Sequence, residues 1–209
     1  MLPAYKPVPS EALDRERQLA YSFAKRLFDI VAVLAAGVVL LPVALVVAAA
    51  VKLTSRGSVL YWSQRVAAGG GTFAMPKFRT MREGTPAVAT HLLKDANSAL
   101  TPIGGFLRRS SLDEIPQLWS ILTGDMSLVG PRPALFNQDD LVALRREAGV
   151  DSLTPGLTGW AQVNGRDDLP IPAKVRFEQE YRERQSLWFD LRIIVLTARK
   201  VLLGSGVKH

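Results

Sequence analysis

Cysteine is absent from all 209 residues, so thiol catalysis, cysteine-ligated zinc and disulfides are excluded. That absence fits a reducing, cytoplasmic setting. Histidine occurs only twice, at His91 and His209, which leaves nothing from which to build a histidine metal cluster or a histidine-dependent triad. Negative charge is the scarcer sign: 19 acidic residues stand against 26 basic ones, a net charge of +7. Such an excess calls for an anionic partner, whether nucleic acid, a phospholipid surface or phosphorylated small molecules. Arginine supplies 18 of the 26 basic residues, and its planar fork favours phosphate or carboxylate recognition. The length suffices for one domain with a real core plus an appendage.

Polarity is missing altogether from Ile30 to Val51, 22 residues without a charged or strongly polar side chain. At the helical rise this run is roughly 33 Å long, enough to cross the hydrocarbon core of a bilayer. A soluble core helix of that length carries a polar stripe, and a cleaved signal peptide is shorter and lies closer to the N-terminus. Pro42 stands near the middle, where it removes one backbone donor and kinks a helix. Lys25 and Arg26 precede the run, and Lys52 and Arg56 follow it. Matching basic flanks place both ends on one membrane face, as in a re-entrant helix. A tilted single span with an ordinary proline kink is the alternative. The chain thus divides into a polar arm over 1–22, a membrane helix over 23–56 kinked at Pro42, and a domain over 57–209.

Beyond Gly57, the β-forming residues Val59–Val66 predict a strand. Gly69-Gly70-Gly71 followed by Thr72-Phe73 then predicts a hairpin. Lys77, Arg79 and Arg82 add three cations just after it. Helical spacing returns at Ile103, Phe106 and Leu107, resumes at Ile115, Leu118, Trp119 and Leu122, and stops at Gly124. Residues 137–149 predict another helix, and 155–166 a turn-rich stretch around a short strand. The last helix, from Leu187 onward, has aromatic residues at its start and Arg199 and Lys200 near its end. It suits either a packed position or the membrane interface.

The chemistry concentrates in residues 108–133. Asp113 and Glu114 are adjacent carboxylates, with Arg108 and Arg109 upstream and Arg132, between Pro131 and Pro133, downstream. Arginines grip phosphate oxygens, which frees an acid to attack phosphorus or hold a metal. The competing structural reading is a capping box, Ser111-x-x-Glu114. Pro116 counts against it, because that register places proline inside the helix. With Asp113 as the cap, Pro116 falls in the first turn, where it is accepted. Asp125 reads as a turn residue, Asp167-Asp168 as a solvated pair, and Asp29 as a partner of Lys25 or Arg26.

Taken together, these stretches resemble the monotopic phosphoglycosyl transferases, the bacterial sugar transferase family. The resemblance runs from Lys25-Arg26-Leu27-Phe28-Asp29 to Val201. It rests on Lys77-Phe78-Arg79-Thr80-Met81, Ser111-Leu112-Asp113-Glu114, Gln117-Leu118-Trp119, Gly124-Asp125-Met126-Ser127-Leu128-Val129-Gly130-Pro131-Arg132-Pro133 and Pro155–Arg166. It implies a mostly helical α/β fold with a small β-hairpin, a re-entrant membrane helix, interfacial amphipathic helices and a compact cytoplasmic catalytic domain on the bacterial inner membrane. It implies transfer of a sugar-1-phosphate from a UDP-sugar to polyprenyl (undecaprenyl) phosphate, with release of UMP, in a ping-pong cycle that initiates glycan assembly. Asp113 would be the nucleophile and Glu114 a ligand of Mg²⁺. Arg108, Arg132, Lys77 and Arg79 would bind phosphate. Partners would be the two substrates, membrane phospholipid and, optionally, a second copy in a homodimer, but no nucleic acid. Two departures stand out: Leu41 precedes Pro42 where a serine is frequent, and Ala67–Gly71 with Pro76 alters the hairpin. Without the extra N-terminal spans of larger relatives, the chain reads as the catalytic core alone. A membrane-anchored nucleotide-sugar hydrolase or phosphatase and a non-catalytic adaptor for anionic lipid are the rival readings.

Overall fold

A computed structural model of the chain describes residues 10–86, 88, 95, 97–165 and 169–202. His91, His209, Asp167, Asp168 and the first nine residues of the polar arm lie outside the described residues.

One helix dominates the architecture. α1 (Ser10–Thr54) continues through Pro42, so the second half of the expected arm is helix, and no structural break marks residue 22. Its stretch Gln18–Thr54 is long and apolar enough to cross a membrane by length and composition. Alanine, leucine and valine sustain the helix without any capping device inside it. Val33 near its middle and Val47 and Val51 towards its end are buried, yet no residue from Leu34 to Val46 is. The two ends of the apolar run thus pack on the rest of the chain, and the stretch between them is largely exposed, with Ala44 partly buried against the core of Val47.

The expected hairpin forms from β1 (Leu60–Val66) and β2 (Thr72–Phe78), antiparallel with Trp62 opposite Pro76. Proline is tolerated there because the sheet has only two strands and both are edges. The turn uses Gly69 and Gly70 at positive φ, which explains the glycine run. Phe73 and Met75 of β2 enter a core with Val33, Ile121 and Met126. Phe78 joins Val47, Val51 and Leu107 in a second core.

Two short helices, α2 (Gly104–Arg109) and α3 (Leu118–Thr123), flank a 3-10 turn over Leu112–Gln117. α3 ends at Gly124, whose left-handed φ of 96° terminates the helix as expected. β3 (Ser127–Val129) then pairs in parallel with β4 (Gly156–Thr158). Close approach across this pair requires glycine: a Cβ on Gly156 would lie 2.1 Å from the Gly130 nitrogen. Between these strands runs α4 (Asp139–Glu147), and α5 (Trp160–Val163) follows β4.

α6 (Ile171–Glu183) and α7 (Leu187–Leu202) close the fold. Tyr181, Phe189 and Ile193 pack with Val129 and Val163. α7 meets the packed expectation on one face. Phe189, Asp190 and Ile193 face inward, while Trp188 and Val195 stay exposed at 79% and 57%. Fully buried Asp190 accepts hydrogen bonds from Lys25 (2.8 Å), Tyr21 (3.0 Å) and Tyr181 (2.8 Å), which locks α7 to α1.

Candidate active site

Asp113 and Glu114 sit in the first turn of the 3-10 segment, reached through Ser111 in the left-handed conformation (φ 57°). Neither helix-cap register forms. Ser111 makes no side-chain cap bond, and the helix proper begins only at Leu118, beyond Pro116. A 3-10 turn entered through left-handed Ser111 places Pro116 within it without a regular α-helical turn around the proline. The carboxylates are thereby left for tertiary partners.

Glu114 takes two of them. Lys77, reaching in from β2, donates to Glu114 Oε1 at 3.2 Å, and Arg132 Nη2 donates to the same oxygen at 2.9 Å. Burial pushes the Glu114 carboxyl up, but Arg132 and Lys77 outweigh it and hold the group well below the usual carboxylate range. Lys77 is pushed down from its ordinary value by burial, against the pull of Glu114. Asp113, buried beside them, moves the other way. Desolvation raises it, Lys77 opposes the rise, Glu114 adds to it, and Arg108 and Arg132 oppose it again. Two neighbouring acids are thus driven apart, one firmly ionised and one made more basic, a division common where carboxylates take different chemical roles.

Lys77, Arg132 and Arg108 therefore surround the pair, in keeping with the sequence pattern. Arg79 does not join them. Its guanidinium donates to the Arg56 carbonyl and to the carbonyl and hydroxyl oxygens of Ser55 (3.1 and 2.9 Å), so it is spent on the end of α1. Alternation within a strand would put Arg79 on the face of Lys77, but β2 ends at Phe78, and Arg79 lies beyond it beside the end of α1.

Supporting residues that sequence reasoning misses hold the Arg132 loop. Arg145 Nη2 donates to the Arg132 carbonyl (2.9 Å) while its Nε (2.8 Å) and Nη2 (2.5 Å) engage buried Glu178. Arg65 Nη1 donates to the Pro133 carbonyl at 3.1 Å. Neither carries a local signal, because each acts on a backbone far away in sequence. The pairing of Asp29 with Lys25 or Arg26, expected from their proximity in the chain, does not form. Instead Lys25 serves Asp190, and Arg26 caps the carbonyls of Ile121 (2.5 Å) and Leu122 (2.8 Å). Asp29 is buried and accepts from Ser127 Oγ (2.7 Å) and the Leu128 nitrogen (3.2 Å), which fixes β3 and so the loop that bears Arg132. Asp125 is a turn residue as expected, accepting from Thr123 Oγ1 at 2.7 Å. Gln117, four residues after Asp113, keeps a buried amide nitrogen without a hydrogen-bond partner among the described residues.

Among the described residues no group of three or more His, Cys, Asp or Glu side chains gathers to hold a metal. The adjacent carboxylates are the donors available. What the arrangement can do is bind phosphate oxygens with three cations and present a desolvated carboxylate beside them.

A family model described as bacterial sugar transferase matches residues 20–204. The UDP-glucose:undecaprenyl-phosphate glucose-1-phosphate transferase of Xanthomonas campestris pv. campestris is 40% identical over 195 residues, covering 90% of this chain and 40% of that protein. The exopolysaccharide production protein ExoY of Sinorhizobium fredii is 36% identical over 197 residues, covering 87% of each. The UDP-glucose:undecaprenyl-phosphate glucose-1-phosphate transferase of Escherichia coli is 38% identical over 185 residues, covering 84% of this chain and 39% of that protein. The chain therefore spans about two fifths of the longer relatives and most of ExoY.

Proposed function

The chain belongs to the bacterial sugar transferase family, and from that premise we propose that it transfers a sugar-1-phosphate from a UDP-sugar to polyprenyl phosphate. The observation that carries this reading is the Asp113–Glu114 pair, the first buried and the second partly so, enclosed by Lys77, Arg108 and Arg132. Ionised Asp113 attacks the sugar-bearing phosphorus. A carboxylate oxygen–phosphorus bond forms, and the bond to the bridging oxygen breaks, so that UMP leaves with the electron pair. The lipid phosphate then attacks the same phosphorus, Asp113 departs as carboxylate, and the sugar-diphospho-lipid results. No proton has to move in either step, so neither step needs a histidine. Desolvation makes Asp113 more basic and hence a better nucleophile, while Lys77 and the arginines stand ready for the charge on the transferring group. Because Glu114 holds Lys77 and Arg132 in place, their donors are oriented before substrate arrives.

Mg²⁺ fits this donor set when it is carried by the diphosphate. It takes one or two carboxylates and completes its shell from phosphate and water. Glu114, with Asp113 beside it, would hold it, and bound there it neutralises diphosphate charge.

A re-entrant course for α1, with the catalytic residues on the cytoplasmic face of the inner membrane, is supported by how the helix packs. Val33 and Val47 are buried against the same body, so the stretch between them starts and ends on one side. The 13 unburied residues from Leu34 to Val46 amount to roughly 20 Å of helix, short of a ~30 Å hydrocarbon core. The apolar side chains exposed on α7, with Arg199 and Lys200 in its last turn, suit the headgroup region.

The test is UMP release from a panel of UDP-sugars. Without lipid the protein should release about one equivalent and become labelled with phosphosugar; with polyprenyl phosphate it should turn over. Asp113→Asn should abolish both release and labelling. Continuous UMP release without lipid would identify a hydrolase, and none from any donor would leave a lipid-binding adaptor.

A further inference from the structure

The successive carbonyls of Pro131, Arg132, Pro133 and Ala134 each accept a hydrogen bond from a distant part of the chain. The Gly156 nitrogen donates to Pro131 at 2.8 Å and the Val66 nitrogen to Ala134 at 3.0 Å. Between them, Arg145 Nη2 donates to Arg132 at 2.9 Å and Arg65 Nη1 to Pro133 at 3.1 Å. Pro131 and Pro133 add a fixed φ and no donors of their own. The backbone on either side of Arg132 is therefore set before substrate arrives.

The hold on Arg132 itself runs through a second residue. Arg145, on α4, shares Nη2 between the Arg132 carbonyl and Glu178 Oε1 (2.5 Å), while its Nε donates to Glu178 Oε2 at 2.8 Å. Both side chains are buried. An ion pair is a costly way to fasten two helices, because desolvation offsets most of the attraction. α4 and α6 do not depend on it: Leu141 and Val175 already share a core with Ala134 and Val150. What an apolar pair cannot supply is an oriented donor for the Arg132 carbonyl.

We propose that Arg145 and Glu178 are positioning residues for the transfer reaction, acting through Arg132, whose guanidinium they hold in line with the transferring phosphate. The inference rests on the transferase reading above. Arg132 is also tied at its tip, where Nη2 donates to Glu114 Oε1 at 2.9 Å, so backbone and side chain are both fixed. Loosening the backbone leaves the positive charge in the site, and the attraction that draws in a diphosphate persists. Alignment with the charge that builds up during transfer is lost, and only interactions stronger in the transition state raise the rate. The effect falls on the rate of the chemical step and not on donor affinity.

The test is single-turnover UMP release by the full chain in detergent, with rates expressed per folded protein from circular-dichroism melts. Arg145→Lys keeps the charge and loses the fork, and Glu178→Gln keeps the shape and loses the charge that orients Arg145. Each should lower the limiting rate about tenfold to a hundredfold, the size of effect that a ~1 Å misplacement produces, and leave the half-saturating UDP-sugar concentration within about twofold. In an Arg132→Ala background the same two substitutions should slow release by no more than about twofold, because the residue they act through is gone. Equal factors with and without the Arg132 side chain would make the pair a scaffold and overturn the proposal. So would an unchanged limiting rate in both variants, or a weakened donor affinity at an unchanged rate. No UMP release by the unaltered protein from any UDP-sugar sinks the transferase reading itself, whereas release with additive variants sinks only the positioning role.

Discussion

Replacing Glu114 with glutamine removes one negative charge from between Lys77 and Arg132 and changes little in shape. The contacts are 3.2 and 2.9 Å, and unit charges that close attract by about 5 kcal/mol at an effective dielectric of 20. Desolvation offsets most of this, and breaking a buried pair typically costs about 3–5 kcal/mol. Glutamine keeps a carbonyl acceptor, and the Arg132 side chain, 27% exposed, can regain water. The expected loss is therefore about 2–3 kcal/mol, a fall in Tm of roughly 4–12 °C for a chain of this size. The sign with pH follows from Glu114 lying below its unfolded value. Its contribution is present above the unfolded carboxyl range near ~4.3 and disappears as pH falls, so the variant and the native protein should converge in acid. A second readout concerns Asp113, which Glu114 pushes up and Lys77 pulls down. Glu114→Gln should move the acid limb of the single-turnover UMP release to lower pH, and Lys77→Met should move it to higher pH. Thermal melts in detergent and relative rates across pH suffice for both. An acid limb that moves the same way in the two variants, or an unchanged Tm for Glu114→Gln at neutral pH, would refute the electrostatic account.

Four further outcomes are expected. Asp113→Asn should keep or raise the Tm at neutral pH while abolishing UMP release, because burial penalises the charged form and an amide escapes that penalty; a clear drop in the melt would count against it. Asp29→Ala should cost about 2–3 kcal/mol, since it leaves the Ser127 hydroxyl and the Leu128 amide without their charged acceptor, and denaturant unfolding would measure it. Chelation with EDTA should stop UMP release, and Glu114→Gln should raise the Mg²⁺ concentration needed to restore it; an unchanged metal response would remove Glu114 as a ligand. Tags at residue 10 and residue 209 should be accessible from the same membrane face, and opposite accessibility would establish a span.

Much of the site is legible in the sequence because its chemistry is written locally. Asp113 and Glu114 adjoin each other, Arg108 lies five residues upstream of Asp113, and the proline-clamped Arg132 sits in the same stretch of chain. Lys77 and Arg79 are equivalent in sequence, and only the course of β2 separates them into a partner of Glu114 and a clamp on α1. Asp29, Arg65 and Arg145 carry no such signal, for each bonds a backbone or side chain at long range. Spacing also does not decide between the competing cap registers. Both presume an α-helix where the chain instead makes a 3-10 turn through left-handed Ser111.

Local periodicity and composition dictate the long apolar helix, the glycine-turned hairpin, the stop at Gly124, and the exclusion of thiol chemistry. Which charges meet is a matter of tertiary packing. Lys77 and Arg132 reach one oxygen of Glu114 across 37 and 18 residues of chain, and packing rather than spacing brings them there. The same holds for α1, where apolar length is a property of the sequence. Docking both ends on one body is a property of the fold, because burial of Val33 and Val47 needs partners that only the folded domain supplies.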